Sequence, residues 1–221
     1  MPPISSPPTR PLTAHRVEFP QDTPLYRVHR KHVSSTAFNP RPAGTFTGGR
    51  FDGTPEDPYP FLYAAPTPRT AVANTVLRAT SFTPEGQRLV PMTAVVNRQL
   101  TQVRTTGPLQ LIDLTTESSL HAVGADPYLV CSEDFVHARV WSTVLRRHNP
   151  WAQGLLWPSR FHRPDALVVL FGDRCDPASS SNTPTGPWRS VPTSFWPVCM
   201  LRSRSLARRP SALTTSSGSI S

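Results

Sequence analysis

The triplet Gly48-Gly49-Arg50 is the first place in this chain where residue types and spacing suggest chemistry. Two glycines let a backbone approach a bound group closely, and the arginine beside them carries a planar fork of donors suited to phosphate or carboxylate. An ordinary glycine turn with an exposed arginine has the same sequence, and residue chemistry alone leaves both readings open. Elsewhere there is no P-loop, no G-x-S-x-G elbow and no HExxH motif. The seven histidines are scattered, and none stands at metal-ligand spacing to another. His29 and His32 are three apart, but an expected strand running into a loop does not present them together. Cys131, Cys175 and Cys199 form no CxxC pair. That argues against a thiolate zinc site and a disulfide framework, and it fits a reducing cytoplasm. No metal is expected.

Composition narrows the classes further. A chain of 221 residues allows one domain, or one small domain with tails. Its 27 prolines are roughly twice average usage. The longest clean apolar stretch, Ala166-Leu167-Val168-Val169-Leu170-Phe171, is far short of the ~18 residues of a membrane helix. The opening Met-Pro-Pro-Ile-Ser-Ser-Pro-Pro lacks the basic and apolar regions of a secretory signal. The net charge is +9, and all basic residues except Lys31 are arginine. A nucleic-acid footprint clusters its charge, whereas here only residues 176–221 hold a local surplus, five Arg against one acid. Direct nucleic-acid binding is therefore not expected, and the tail is the only place it would fit.

Residues 1–24, rich in Pro, Ser and Thr without periodicity, read as a flexible arm. Between residues 25 and 174, strand-like and helix-like pieces alternate. Strands are expected over 25–29, 61–65, 90–96, 100–104, 109–114, 154–157 and 166–171. Thr67-Pro68 supplies an N-cap and an N1 proline for a helix over 68–79. Val72, Val76 and Ala79 form one stripe of this helix, while Ala71, Asn74, Thr75 and Arg78 lie along another face. A short helix is expected near 116–123. A longer one spans 132–148, capped by Ser132, with Glu133 and Asp134 in its first turn and Val136, Val140 and Val144 as its buried stripe, Trp141 and Leu145 alongside. Irregular mixing of strands and helices points to an α+β fold. Residues 176–221 contain 12 Ser, 5 Thr and 6 Pro with no period. They read as a mostly disordered tail, and the abrupt loss of pattern also fits a shifted reading frame.

The order of these segments resembles the RES domain family. The carriers are Leu25-Tyr26-Arg27-Val28, Gly48-Gly49-Arg50-Phe51-Asp52, Leu62-Tyr63-Ala64-Ala65 with its following helix, Ala152-Gln153-Gly154-Leu155-Leu156-Trp157-Pro158-Ser159-Arg160, and Val169-Leu170-Phe171-Gly172-Asp173-Arg174. The resemblance covers about residues 25–175. It implies a compact α+β domain, a mixed sheet with helices, similar to the ADP-ribosyltransferase toxins. It also implies an enzyme that takes NAD+ as substrate, with no further cofactor, and cleaves its nicotinamide–ribose bond with water or phosphate. A partner is implied as well: an antitoxin with a helical DNA-binding part. By position, Arg27 and Arg50 match the family's arginine, Ser159 its serine, and Tyr63 a tyrosine beside the nicotinamide or ribose.

The family's glutamate should stand in the helix after the tyrosine strand, but this chain reads Ala71-Val72-Ala73-Asn74. Cleaving an N-glycosidic bond builds oxocarbenium-like positive charge on the ribose, which a nearby carboxylate eases. Asparagine keeps hydrogen bonding and loses the charge. Loss of one such contact typically costs about 10²–10³ in rate. The expectation is therefore a weakened NAD+-cleaving enzyme, or a domain that binds NAD+ or an antitoxin without turnover. Arg50, Asn74 and Ser159 are the expected reactive group, with Arg27, Arg50, Tyr63 and Ser159 as dinucleotide contacts. Asp52, Glu56 and Asp57 are the candidates for a substitute carboxylate, with Asp52 more suited to capping the glycine turn or pairing with a local arginine.

Overall fold

The computed structural model describes residues 4–44, 47–175 and 188–191. A five-stranded sheet runs in the order β1 (Arg16–Phe19), β5 (Leu109–Asp113), β6 (Gly154–Pro158), β7 (Ala166–Phe171) and β3 (Phe61–Ala64). Only β5 and β6 pair in parallel. Parallel strands need a long crossover, and here it carries helices α2 (Glu117–Ala122), α3 (Tyr128–Cys131) and α4 (Phe135–His148). A second sheet contains β2 (Pro24–Arg30), β4 (Arg98–Thr105) and β8 (Trp188–Val191), all antiparallel. The two sheets meet at one isolated bridge, where Tyr26 and Ala65 exchange backbone hydrogen bonds of 2.7 and 2.9 Å. The α+β class holds.

Both faces of the larger sheet are covered, which explains why β7 is apolar throughout. Val169 and Phe171 point into a cluster with Trp141, Leu145, Phe51 and Trp157, while Val168 and Leu170 join Leu25, Leu62 and Leu111 on the other face. Each fully buried side chain of this kind contributes about 1.5–3 kcal/mol. No helix among the described residues is long and apolar enough to cross a membrane.

The structure departs from the sequence expectations in four places. Residues 4–24 are not a free arm. Ile4 and Leu12 are buried in the core, β1 pairs with β5, Ser5 accepts from the Trp141 indole at 2.7 Å, and Asn149 holds the Ala14 N–H. These are tertiary bonds, which leave no trace in local periodicity. The strand expected over 90–96 is a short 3₁₀ turn, Met92–Ala94, with Met92 and Val96 exposed. Helix α4 begins at Phe135 with Asp134 as its cap, not Ser132, and Val136 and Val140 are exposed. Its buried stripe is Ala138, Trp141 and Leu145, flanked by buried Arg139 and Arg146. Those two guanidiniums disguised the stripe. Arg146 lies over the Tyr59 ring at 3.7 Å and pairs with Asp57 and Asp173, so it is buried at little cost. Lastly, Trp188–Val191 adds a strand to β4 where the tail was expected to lack one. The rest of the expected disordered tail, and the shifted-frame reading, lie outside the described residues.

If the N-terminal segment is part of the domain, Leu12→Ala will lower stability by about 2–5 kcal/mol, as for other buried leucines. Urea denaturation followed by tryptophan fluorescence measures it; a free arm would show no change.

Candidate active site

A cavity of about 690 Å³ lies where the two sheets meet beneath α1 (Pro68–Val76). The larger sheet contributes Tyr63, Ala64, Trp157 and Leu167, and the smaller sheet Tyr26, Arg27, Val28 and Arg98. From α1 and the turn after it come Ala71, Asn74, Thr75 and Arg78, the face that the helical spacing set apart from the apolar stripe. Thr67 caps this helix by accepting from the Thr70 N–H, and Pro68 opens it.

The glycine turn reaches the cavity through one carboxylate. Asp52 accepts from the Gly49 N–H at 2.6 Å and from the Tyr63 hydroxyl at 2.7 Å, while the Phe51 N–H donates to that same hydroxyl at 3.0 Å. A Cβ on Gly49 would stand 2.5 Å from the Asp52 carboxylate and 2.7 Å from the Tyr63 oxygen, so only glycine fits. Gly48 takes a φ of +120°, which also calls for glycine. Asp52 thus caps the turn. Glu56 and Asp57 lie elsewhere: they border a smaller recess on the far side of α4, where Asp57 pairs with Arg146. Neither substitutes for a carboxylate in the cavity.

Arg50 is buried and faces the cavity, with Nη1 donating to the Leu129 carbonyl at 2.7 Å and Nη2 to the Ser132 carbonyl. Its guanidinium lies 5.1 Å from the centre of the Phe135 ring, and that of Arg78 lies 5.0 Å from the same ring. Burial, aided by repulsion from Arg160, pushes the Arg50 pKa down to about 10. Burial alone does the same for Arg27. Both stay cationic at neutral pH. Arg27 holds the loop after β2 by donating to the Ser35 and Ala37 carbonyls at 2.8 and 2.7 Å. Each arginine therefore uses part of its fork for structure and leaves the remaining N–H groups for a ligand.

Asn74 faces the cavity, and its Nδ2 donates to the Thr70 carbonyl at 2.9 Å and to Ser159 Oγ at 2.7 Å. Ser159 is fully buried and does not line the cavity itself. Its hydroxyl also accepts from the N–H groups of Phe161 and His162, so it shapes the β6–β7 turn and orients residue 74. The same turn is tied to α1 by Asp165, which accepts from the Thr67 and Thr70 hydroxyls at 2.7 and 2.6 Å. Four of the five expected site residues, Arg27, Arg50, Tyr63 and Asn74, thus share one cavity, and the fifth touches it through Asn74.

Several lining residues were not picked out from the sequence. Arg98 sits at the start of β4, and Trp157 at the end of β6. Phe135, Glu133 and Arg160 close the mouth, with Arg160 donating to Glu133 at 2.9 Å. The only available signal was adjacency: Arg160 follows Ser159, and Arg78 shares a helix face with Asn74. Glu133 read as a first-turn helix acid, a role that ends once the helix starts two residues later. Among the described residues, no group of three or more His, Cys, Asp or Glu could hold a metal. Burial pushes the Cys175 thiol up to about 12, so it is no nucleophile at neutral pH.

The RES domain matches this chain over residues 24–192, a span that takes in both sheets from β2 to β8 and every residue lining the cavity. The chain belongs to the RES domain family. No curated protein matches it. Among solved structures, the M. tuberculosis MbcT–MbcA toxin–antitoxin complex is similar. The alignment has 18% identity and a TM-score of 0.55, covering 79% of this chain and 85% of that one. At that identity the likeness speaks for the RES fold, and the cavity's side chains must carry the argument about chemistry.

Two outcomes test the site's internal ties. Asp52→Ala leaves the Gly49 N–H and the Tyr63 hydroxyl without their acceptor and will cost about 2–4 kcal/mol in urea denaturation, one to three for each stranded group less partial rescue by water. Burial and the Asp52 carboxylate hold Tyr63 well above the ordinary tyrosine value of 10.0, and burial raises Tyr59 as well. Above that pH an unfolded tyrosine ionises while these two stay protonated. The unfolded state then binds fewer protons, and stability falls as pH rises. In an alkaline titration at 295 nm their tyrosinate absorbance will appear only together with unfolding.

Proposed function

We propose that this RES domain binds NAD+ in the cavity at the sheet junction and cleaves its nicotinamide–ribose bond slowly. The observation that carries the reading is the meeting of Arg27, Arg50, Tyr63 and Asn74 around one cavity large enough for a dinucleotide, with Ser159 bonded to Asn74. Arginine forks suit a diphosphate through charge-assisted hydrogen bonds. The aromatic walls, Tyr63, Trp157 and Phe135, suit flat rings. In the cleavage, the C1′–N bond breaks and its electron pair leaves with neutral nicotinamide. Water or phosphate then adds to C1′ and releases a proton. Asn74 can hold a ribose hydroxyl through its oxygen but does not stabilise the cation, which is why turnover is slow.

A second reading, binding without turnover, is favoured by the same residue. The toxin–antitoxin pairing of the similar structure supports an antitoxin protein as partner, one with a helical DNA-binding part as in other RES pairs. The free thiols of Cys131 and Cys175 fit a cytoplasmic setting.

Purified protein incubated with NAD+ will release nicotinamide at a low rate, and Asn74→Glu will raise kcat by about 10²–10³. Arg50→Gln will weaken NAD+ binding, followed by quenching of tryptophan fluorescence, to which Trp157 in the cavity wall contributes. Saturable binding with no nicotinamide from either the native protein or Asn74→Glu would leave only the binding reading. Absence of binding in both would remove NAD+ altogether.

A further inference from the structure

The cavity wall has a sign problem. Arg27, Arg50, Arg78, Arg98 and Arg160 all line it, and Glu133 is the only carboxylate among the described residues that do. A wall this cationic holds a diphosphate well, yet it opposes the positive charge that must grow on the ribose as nicotinamide leaves. Asn74 offers no compensation, and both protons of its amide are engaged, with Thr70 and with Ser159. Whatever anionic help the reaction receives from lining side chains must come from position 133.

The backbone at that position is pinned from both sides. Arg50 donates to the Ser132 carbonyl, the Ser132 hydroxyl accepts from the Asp134 N–H at 3.0 Å, and the Glu133 carbonyl accepts from the Phe135 N–H at 2.9 Å. The side chain is instead 79% exposed and held by one partner, Arg160. An exposed ion pair of this kind contributes little. Its carboxylate can leave Arg160 for a bound sugar hydroxyl, and Arg160 can turn to a phosphate. Ser159, next to Arg160 in sequence, bonds Asn74, and Glu133 and Arg160 line the same cavity as the residue where a charge is missing.

We propose that Glu133 is a catalytic residue of this chain, a relocated carboxylate that accepts a hydrogen bond from the ribose and stabilises the oxocarbenium ion in place of residue 74. This rests on the NAD+ reading above and deepens it. The bond changes are those already given: the electron pair of the C1′–N bond leaves with nicotinamide, water adds at C1′, and its proton passes to solvent.

The test compares nicotinamide release by the full chain and five variants, Asn74→Glu alone among them, with NAD+ binding read from tryptophan fluorescence. Glu133→Gln is expected to lower kcat about 10²-fold while KM and the melting temperature stay nearly unchanged. Adding Asn74→Glu to it is expected to restore turnover to at least the native rate, because a carboxylate at position 74 supplies directly the charge that Glu133 supplies weakly from the exposed edge of the cavity. Arg160→Met breaks the same ion pair but spares the carboxylate, and its loss in kcat should be clearly smaller. Glu56→Gln, outside the cavity, should match the native rate. The proposal falls if Glu133→Gln turns over within twofold of the native protein, or if Arg160→Met loses as much. It also falls if the native protein is inert while Asn74→Glu is active, a result that would leave the NAD+ reading standing. If neither releases nicotinamide, this proposal and the cleavage reading fall together, and saturable NAD+ binding leaves only the binding reading.

Discussion

The Asp52 carboxylate is the interaction on which the rest of the site depends. It joins a main-chain N–H of the glycine turn to the hydroxyl of a β3 tyrosine, a link seconded by the Phe51 N–H on that same hydroxyl. With that link made, Arg50 is aimed across the cavity toward the start of α4, where the Leu129 and Ser132 carbonyls take it. The turn, the strand and the helix start thus become one rigid unit, and burying an arginine becomes tolerable because its donors are matched. Removing any one of the three would free the other two.

That unit favours recognition over reaction. The cavity it shapes is lined by five arginines and one glutamate, a charge suited to an anionic ligand and unsuited to a cationic transition state. The position on α1 where the resemblance led us to expect a glutamate bears an amide locked between a helix carbonyl and a buried serine. A charged side chain in that place would be oriented by the same serine, so the scaffold for the missing group remains intact even though the group is gone.

The sequence revealed most where side chains alternate or cap. Thr67-Pro68 marks the start of α1, the apolar run 166–171 becomes β7, and Gly48-Gly49 marks the turn. It concealed what depends on distant partners. Ile4 and Leu12 lie among prolines, so their burial leaves no pattern, and Arg139 and Arg146 look like solvent-facing residues until their acceptors and aromatic neighbours are known. Val136 and Val140 repeat at helical spacing yet are exposed, while Val144 packs against the core and Trp141 and Leu145, expected beside that stripe, are fully buried. Position 133 followed the same logic: the helix expected from 132 begins at Phe135, so Glu133 leaves the first turn and stands instead at the exposed edge of the cavity lining.

The register of β3 has a consequence for biosynthesis. Tyr63 and Ala64, which form the cavity floor, are hydrogen-bonded into the larger sheet through β7, more than a hundred residues later in the chain. A ribosome delivers residues in order, so the early segments carrying Arg27, Arg50 and Asn74 emerge well before the strand that holds their floor in place. The nascent polypeptide consequently has no assembled pocket until β7, Ala166–Phe171, has left the exit tunnel.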